Sequence, residues 1–333
     1  MSSQTLQELQ KRLGEVQENE PMSAYTTFKI GGPARYFFVA RSADEITKAI
    51  EAAVDLRLPY FILGGGSDLL VSDQGFAGLV IKINNSSFQI QTSTITAGAG
   101  VPLGVLVQAA VDNGLAGLEW GIGIPGTVGG AVRGNAGAFG GEMKDVVKRI
   151  RALRVSPQHP LEVVEMESED CQFNYRDSIF KHGKDLVILE VELALKQGIK
   201  QELVSKMRDF LKHRAVGQPK EPSAGCIFKN FKLRDENGKF FSGNQPVPDS
   251  LVQALPQQFK ERQVIPIRWL VEYLGLADKS SGQAKISSRH CNFIVNAGKA
   301  RAQDCLELMR LIRSAVLENF DLHLTEEIEL VGF

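Results

Sequence analysis

No CxxC pair occurs among the four cysteines, Cys171, Cys226, Cys291 and Cys305. That argues against a structural zinc site or a redox dithiol and leaves free, buried thiols of a reducing compartment. The five histidines, at 159, 182, 213, 290 and 323, fall at no metal-ligand spacing, so no metal is expected. No run approaches the ~20 apolar residues of a membrane span. The opening MSSQTLQELQKRLGEV also lacks the uninterrupted apolar stretch of a secretory signal. Net charge is missing too: 38 Lys and Arg stand against 39 Asp and Glu, for −1. No global field then favours nucleic acid or a membrane surface. The expectation is a cytoplasmic protein, with neither as partner, that binds any anion through local groups.

What is present is an ordinary globular chain of 333 residues, long enough for two or three domains. Leu6, Leu9, Leu13 and Val16 predict a short amphipathic helix. Residues 35–40 read as a strand, and Ser42 with Glu45 forms a capping-box pattern. Ile46, Ala49, Ile50, Ala53 and Val54 follow at helical spacing, and Pro59 closes that helix. A strand at 60–63 runs straight into Gly64-Gly65-Gly66-Ser67-Asp68, and 78–83 adds another. Short β-like runs fill 88–98. A helix is expected from Pro102, at its first position, to a stop at Gly114. Strands are expected at 149–156, 185–195 and 292–296, helices at 201–214 and 304–320, and a last strand in LTEEIELVGF. Residues 231–262 look polar and irregular, an insertion or lid. Helices and strands mix without long βαβ regularity, so the fold class is α+β.

Ten of the twenty-five residues from Gly117 to Gly141 are glycine. Glycine loses the most conformational freedom on ordering, so such a segment implies backbone held close to something. A diphosphate needs many donors at short range, and main-chain N–H groups supply them where no Cβ intervenes. GGGSD at 64–68 and GIGIPGTVGG at 121–130 both suit that role, with hydroxyls from Ser67 and Thr127. Each alone reads better as a tight turn between strands; the pair, one directly after an apolar strand, favours a ligand. Gly121, Gly123 and Gly126 also match the G-x-G-x-x-G dinucleotide pattern, which demands a strand before it and a helix after it. LEW precedes it, Pro125 interrupts it and more glycines follow, so no helix of ordinary propensity is expected there and the Rossmann reading is set aside.

The order of motifs resembles one family. TFKIGGPA at 27–34, LGGGSDL at 63–69, GIPGTVGG at 123–130 and NAGA at 135–138 are joined by YRDS at 175–178, GCIFKN at 225–230 and NFIVN at 292–296. Together they are similar to the UDP-N-acetylenolpyruvoylglucosamine reductases (MurB), across nearly the whole chain. The resemblance implies an FAD-binding fold of the vanillyl-alcohol-oxidase/PCMH type plus a separate α+β substrate-binding domain. It implies FAD, NADPH as hydride donor and a nucleotide-sugar substrate. No histidine adjoins either glycine loop in a way that suggests covalent attachment, so the FAD is expected to be non-covalent, and a monomer is expected. Hydride passes from NADPH to FAD, then to the vinyl CH2 of the substrate, giving UDP-N-acetylmuramate for peptidoglycan. The matching spans are 1–85 and 86–198 for two FAD-binding subdomains, the first completed by 323–333, and 199–322 for the substrate domain. FAD is expected at Gly64, Gly65, Gly66, Ser67, Asp68, Gly123, Pro125, Gly126, Thr127, Gly129, Gly130, Asn135, Ala136 and Gly137. Asp68 stands where the family has asparagine. Its charge would repel a pyrophosphate, so it is expected to point away or cap the next turn.

Hydride addition to an enolpyruvyl group spreads negative charge over the α-carbon and carboxylate, so the site needs a cation and an acid. By resemblance Arg176 is the cation, and its planar fork suits a carboxylate. Cys226 takes the place of the family's proton-donating serine. A thiol with a reference pKa near 8.5 can donate, but a thiolate beside Arg176 or Lys229 cannot. Glu327 matches the family's catalytic glutamate, with Glu326 as the one-residue alternative. A continuous strand would put Glu327 and Glu329 opposite Glu326, Ile328 and Leu330. Glu327 must be protonated or act through water. Tyr175, Arg176 and Asn230 are expected to contact substrate. Competing readings are an oxidase on the same scaffold, a Cys226 hydrolase using His213 or His290, and a flavin-binding relative without activity.

Overall fold

The computed structural model describes residues 4–156, 159–183, 185–236 and 239–333. The chain divides into two compact units. One comprises Met1–Pro21, Pro33–Gly66 and Gly75–Val216, the other Met22–Gly32, Ser67–Gln74 and Gly217–Phe333.

The first unit holds a four-stranded sheet in the order Gln17–Pro21, Pro33–Ala40, Phe76–Ile83, Tyr60–Leu63. Its first pair is antiparallel and the other two are parallel. Between the strands Pro33–Ala40 and Tyr60–Leu63 lies the expected helix, Ala43–Asp55. Ser42 Oγ accepts the Glu45 amide at 3.1 Å, and the Glu45 carboxylate accepts the Arg41 amide at 2.7 Å. These bonds satisfy donors that the first helical turn leaves open. Ile46, Ala49, Ile50 and Ala53 are buried, whereas Val54 sits on the exposed side. The N-terminal helix Gln4–Leu13 buries Leu6 and Leu9 in the same core.

A second, five-stranded antiparallel sheet runs in the order His159–Glu167, Val147–Ser156, Leu186–Ala194, Thr94–Gly98, Phe88–Gln91. The helix Leu103–Asp112 turns Leu103, Leu106, Val107, Ala110 and Val111 inward, with Pro102 as its N-cap rather than its first residue. One expectation about the glycine-rich stretch fails. Val128–Arg133 is a short α-helix, capped by Thr127 and buried through Val128, Ala131 and Val132. Tertiary burial overrides two glycines' poor propensity. The turn before it, Glu119–Gly121, is 3-10 and not a strand, so the Rossmann pattern still lacks its required context.

The helix Lys200–Gly217 counts with the first unit as far as Val216 and buries Leu203 and Met207 in that unit's core. The second unit's C-terminal stretch therefore opens at Gly217, later than the boundary at 199. That unit also takes Ser67–Gln74: Leu69–Val71 pairs in parallel with Glu329–Val331. The last strand thus completes the second unit, not the first. Residues 22–32 are fastened there as well, Gly32 donating to the Ser72 carbonyl at 2.9 Å and Thr27 Oγ1 to the Ser223 carbonyl at 2.8 Å.

Residues 231–236 and 239–262 form largely regular structure, contrary to expectation. Phe231–Glu236, Lys239–Ser242 and Gln245–Pro246 are antiparallel strands, and Asp249–Ala254 and Gln257–Glu261 are helices. Phe231, Leu233, Val247, Leu251 and Leu255 enter the second unit's core, where the helix Ala302–Phe320 also lies. Among the described residues no helix is long and apolar enough to cross a membrane.

Candidate active site

In the first unit the two glycine loops meet. A Cβ built on Gly65 would lie 2.3 Å from the Gly126 Cα, and one on Gly64 would lie 2.8 Å from Thr127 Oγ1. Gly66, Gly123 and Gly126 adopt φ of +63°, +74° and +122°, conformations that disfavour any side chain. Gly64, Gly65 and Gly126 are half-buried, while Gly123 and Pro125 are exposed. The joined loops therefore offer accessible main chain with no Cβ over it, which fits the diphosphate of FAD.

Not every expected amide is available. The Gly129 N–H donates to the Ala99 carbonyl at 2.9 Å and that of Gly130 to Thr127 Oγ1 at 3.4 Å. A Cβ on Gly129 would lie 2.7 Å from that of Ala99, so this glycine serves packing. Pro102 and Thr127 form an antiparallel bridge flanked by Leu103 N–H to Gly126 O and Val128 N–H to Val101 O. In such a pair the Thr127 N–H points away from Pro102. Asn135 is fully buried at φ +41°; its amide donates to Glu142 at 2.6 Å and to the Asn174 carbonyl at 2.8 Å. Its oxygen accepts the Lys144 amide at 3.0 Å, so the side chain is spent inside the protein. The Ala136 amide is likewise bonded, to Ala131 O at 2.8 Å.

Those bonds bring YRDS to the second glycine loop. Asn174 and Asp177 exchange backbone hydrogen bonds of 3.0 and 3.1 Å around a tight turn, with Arg176 at φ +54°. The Arg176 guanidinium donates to the Gly137 carbonyl at 2.6 Å and lies 5.2 Å from the centre of the Tyr175 ring. Ser178 Oγ donates to the Arg133 carbonyl at 2.7 Å. The first unit thus gathers Gly64–Gly66, 123–127, Gly137, Tyr175 and Arg176.

The second unit gathers Cys226 and Glu327. Ser223–Cys226 pairs with Phe293–Asn296 through a one-residue bulge, with Gly225 at φ +81°. A bulge re-aims the residue it precedes. Cys226 is half-buried while Cys171, Cys291 and Cys305 are buried. Burial, then Asp170 and Glu169, push the Cys171 thiol up to about 12, which makes it inert. Past Cys226, Asn292 clamps Phe228, accepting its amide at 3.1 Å and donating to its carbonyl at 2.8 Å. On the other edge Glu327 N–H donates to Ile227 O at 2.8 Å and Lys229 N–H to Thr325 O at 2.9 Å.

The pair between those bonds, Phe228 and Glu326, is bridged. Glu326 forms an ion pair with Arg313 of the helix Ala302–Phe320, and that guanidinium lies 5.6 Å from the Phe228 ring centre. The expected continuous C-terminal strand is broken here. Glu327 and Ile328 form a bend before Glu329–Val331, so simple alternation does not run through them. Ser67 and Asp68 belong to this unit, and the Asp68 carbonyl accepts the Glu329 amide at 2.9 Å. Asn230 has a structural role, because its oxygen accepts the Ile267 amide at 2.9 Å, at the start of the helix Ile267–Tyr273.

Sequence reasoning missed Asn292, Arg313 and Lys82. Lys82 carried a signal as a cation inside the apolar strand 78–83, and Asn292 opens the NFIVN motif, whereas Arg313 carried none.

Fold and site together define a flavoprotein scaffold with a separate C-terminal domain. A family model described as FAD binding domain matches residues 34–156. One described as UDP-N-acetylenolpyruvoylglucosamine reductase, C-terminal domain, matches residues 218–331. The reductase of that name from Alkaliphilus oremlandii is 38% identical over 94% of this chain and 92% of its own. That from Carboxydothermus hydrogenoformans is 36% identical over 98% and 97%. The crystal structure of UDP-N-acetylenolpyruvylglucosamine reductase (MurB) from Thermus caldophilus superposes with a TM-score of 0.73 at 32% identity, covering 96% of this chain and 98% of that one. The chain belongs to the UDP-N-acetylenolpyruvoylglucosamine reductase family, and it is an FAD-dependent oxidoreductase.

Proposed function

We propose that the chain reduces the enolpyruvyl ether of UDP-N-acetylglucosamine to UDP-N-acetylmuramate with NADPH, for peptidoglycan synthesis, as a cytoplasmic monomer. The observation that carries the reading is the contact of Gly64 and Gly65 with Gly126 and Thr127, on the loop that leads to Gly137 and the Arg176 guanidinium. When bound, FAD supplies two-electron hydride chemistry, non-covalently.

The residues that would hold it are Gly64, Gly65, Gly66, Gly123, Gly126 and Thr127, through main chain. Ser67 and Asp68 are assigned to the same cofactor by resemblance, without a side-chain role for Asp68. Arg176 opposes the charge that grows on the substrate carboxylate. Its guanidinium is braced on the Gly137 carbonyl and the Tyr175 ring, which keeps the fork oriented. Cys226 Sγ–H gives its proton to the α-carbon. Glu327, rather than Glu326, is the acidic partner. Glu326 is already committed to an ion pair with Arg313. Tyr175 lies beside Arg176 and is assigned to substrate contact. Asn230 is assigned to substrate contact by resemblance, while its oxygen accepts the Ile267 amide.

Incubation with NADPH and the enolpyruvyl nucleotide tests the reading by mass spectrometry. A product heavier by two hydrogens, formed without oxygen uptake, supports it. Oxygen consumption with no reduced nucleotide points instead to an oxidase on the same scaffold.

A further inference from the structure

Lys82 lies on the strand Phe76–Ile83, with Ile81 and Ile83 on either side buried in the first unit's core. It is half-buried, and its Nζ donates to the carbonyl of Gly64, the first residue of the first glycine loop. Among the described residues no carboxylate lies within ion-pair distance of it. Burial alone, with no neighbouring charge, holds its ammonium below the ordinary lysine range. A half-buried cation bonded only to a neutral carbonyl costs stability unless an anion compensates it. A methionine of similar length would fill the same space without that cost. The carbonyl it holds belongs to the glycine that closes on Thr127 Oγ1, so the charge sits directly behind the joined loops.

We propose that Lys82 is a cofactor-binding residue whose ammonium, held behind Gly64, neutralises the diphosphate of FAD. The inference rests on the assignment of the two loops to FAD. Gly64 O, by accepting from Nζ, has its peptide fixed, so the loop's main chain is oriented before the cofactor arrives. Lys82 then contributes charge through the loop and geometry to it, while the amides make the direct hydrogen bonds.

The test is titration of FAD into the apoenzyme, followed by quenching of flavin fluorescence at low and high salt, together with the thermal midpoint of the same apoenzyme. Lys82→Met should raise the FAD dissociation constant about tenfold or more and flatten its salt dependence. Its apoenzyme midpoint should equal or exceed that of the wild type, because an uncompensated buried charge has been removed. Lys82→Arg should bind FAD within about threefold of wild type. Wild-type affinity in Lys82→Met overturns the proposal. A weakened affinity whose salt dependence matches that of the wild type also overturns it, since Lys82 would then act as a structural tie without a charge role. Failure of wild-type apoenzyme to bind FAD would sink the loop assignment itself, a result visible before any variant is made.

Discussion

Gly65 and Gly126 touch backbone to backbone: a Cβ on Gly65 would lie 2.3 Å from the Gly126 Cα and 3.0 Å from its carbonyl carbon. Two loops separated by some sixty residues therefore depend on the absence of one methyl group. Gly65→Ala must push backbone against backbone, which costs about 1–3 kcal/mol where it is absorbed at all. The purified variant should be colourless or lose FAD on gel filtration, read as the 450 nm absorbance per protein. Full flavin content would mean the loops are not the cofactor's seat.

Cys226→Ser should retain substantial turnover, because a hydroxyl still carries a proton to donate. Cys226→Ala should lose about 10²–10⁴-fold in kcat, the usual worth of a positioned acid. Flavin reduction by NADPH should be unchanged in both, measured by stopped flow. A fully active alanine variant removes Cys226 from the chemistry.

The two adjacent glutamates make opposite predictions. Glu327→Gln should lower kcat by about 10²-fold or more with flavin reduction intact. Glu326→Gln and Arg313→Met should cost little, since their ion pair has side chains 28% and 39% exposed and is worth at most about 1 kcal/mol. Steady-state kinetics of the three variants separates them. Loss in Glu326→Gln alone would shift the assignment by one residue.

How legible this was depended on range. The helix Ala43–Asp55 was written locally, in Ser42, Glu45 and the spacing of Ile46, Ala49, Ile50 and Ala53. The loops at 64–66 and 123–127 were visible as glycine, but not which amides they leave open. Ala99 consumes the Gly129 amide from thirty residues away. The pairing of Leu69–Val71 with Glu329–Val331 joins segments far apart in the chain, and no local pattern encodes it. Arg313 lies on a helix and Glu326 in an isolated bridge, elements that no local pattern brings together. Val128–Arg133 was hidden because propensity argued against a helix that burial supports. In 231–262 the short strands were masked by polar residues around the few apolar ones that reach the core.

His290 predicts a pH effect on stability. Burial, then Arg268, lower its pKa to about 4, and its Nδ1 is buried without a hydrogen-bond partner. The folded state therefore prefers neutral imidazole. Its contribution is complete above the unfolded pKa near 6.5 and is lost as pH falls towards 4. The loss amounts to about 3 kcal/mol at the acid end. Urea unfolding from pH 7 to 4 should show a steeper decline for wild type than for His290→Gln. Parallel profiles would contradict it.

The most direct measurement is an anaerobic absorbance titration of the yellow enzyme. NADPH should bleach the 450 nm flavin band, and the enolpyruvyl nucleotide, added next without oxygen, should restore it with one equivalent of UDP-N-acetylmuramate formed. A flavin that stays reduced until air is admitted would contradict the account.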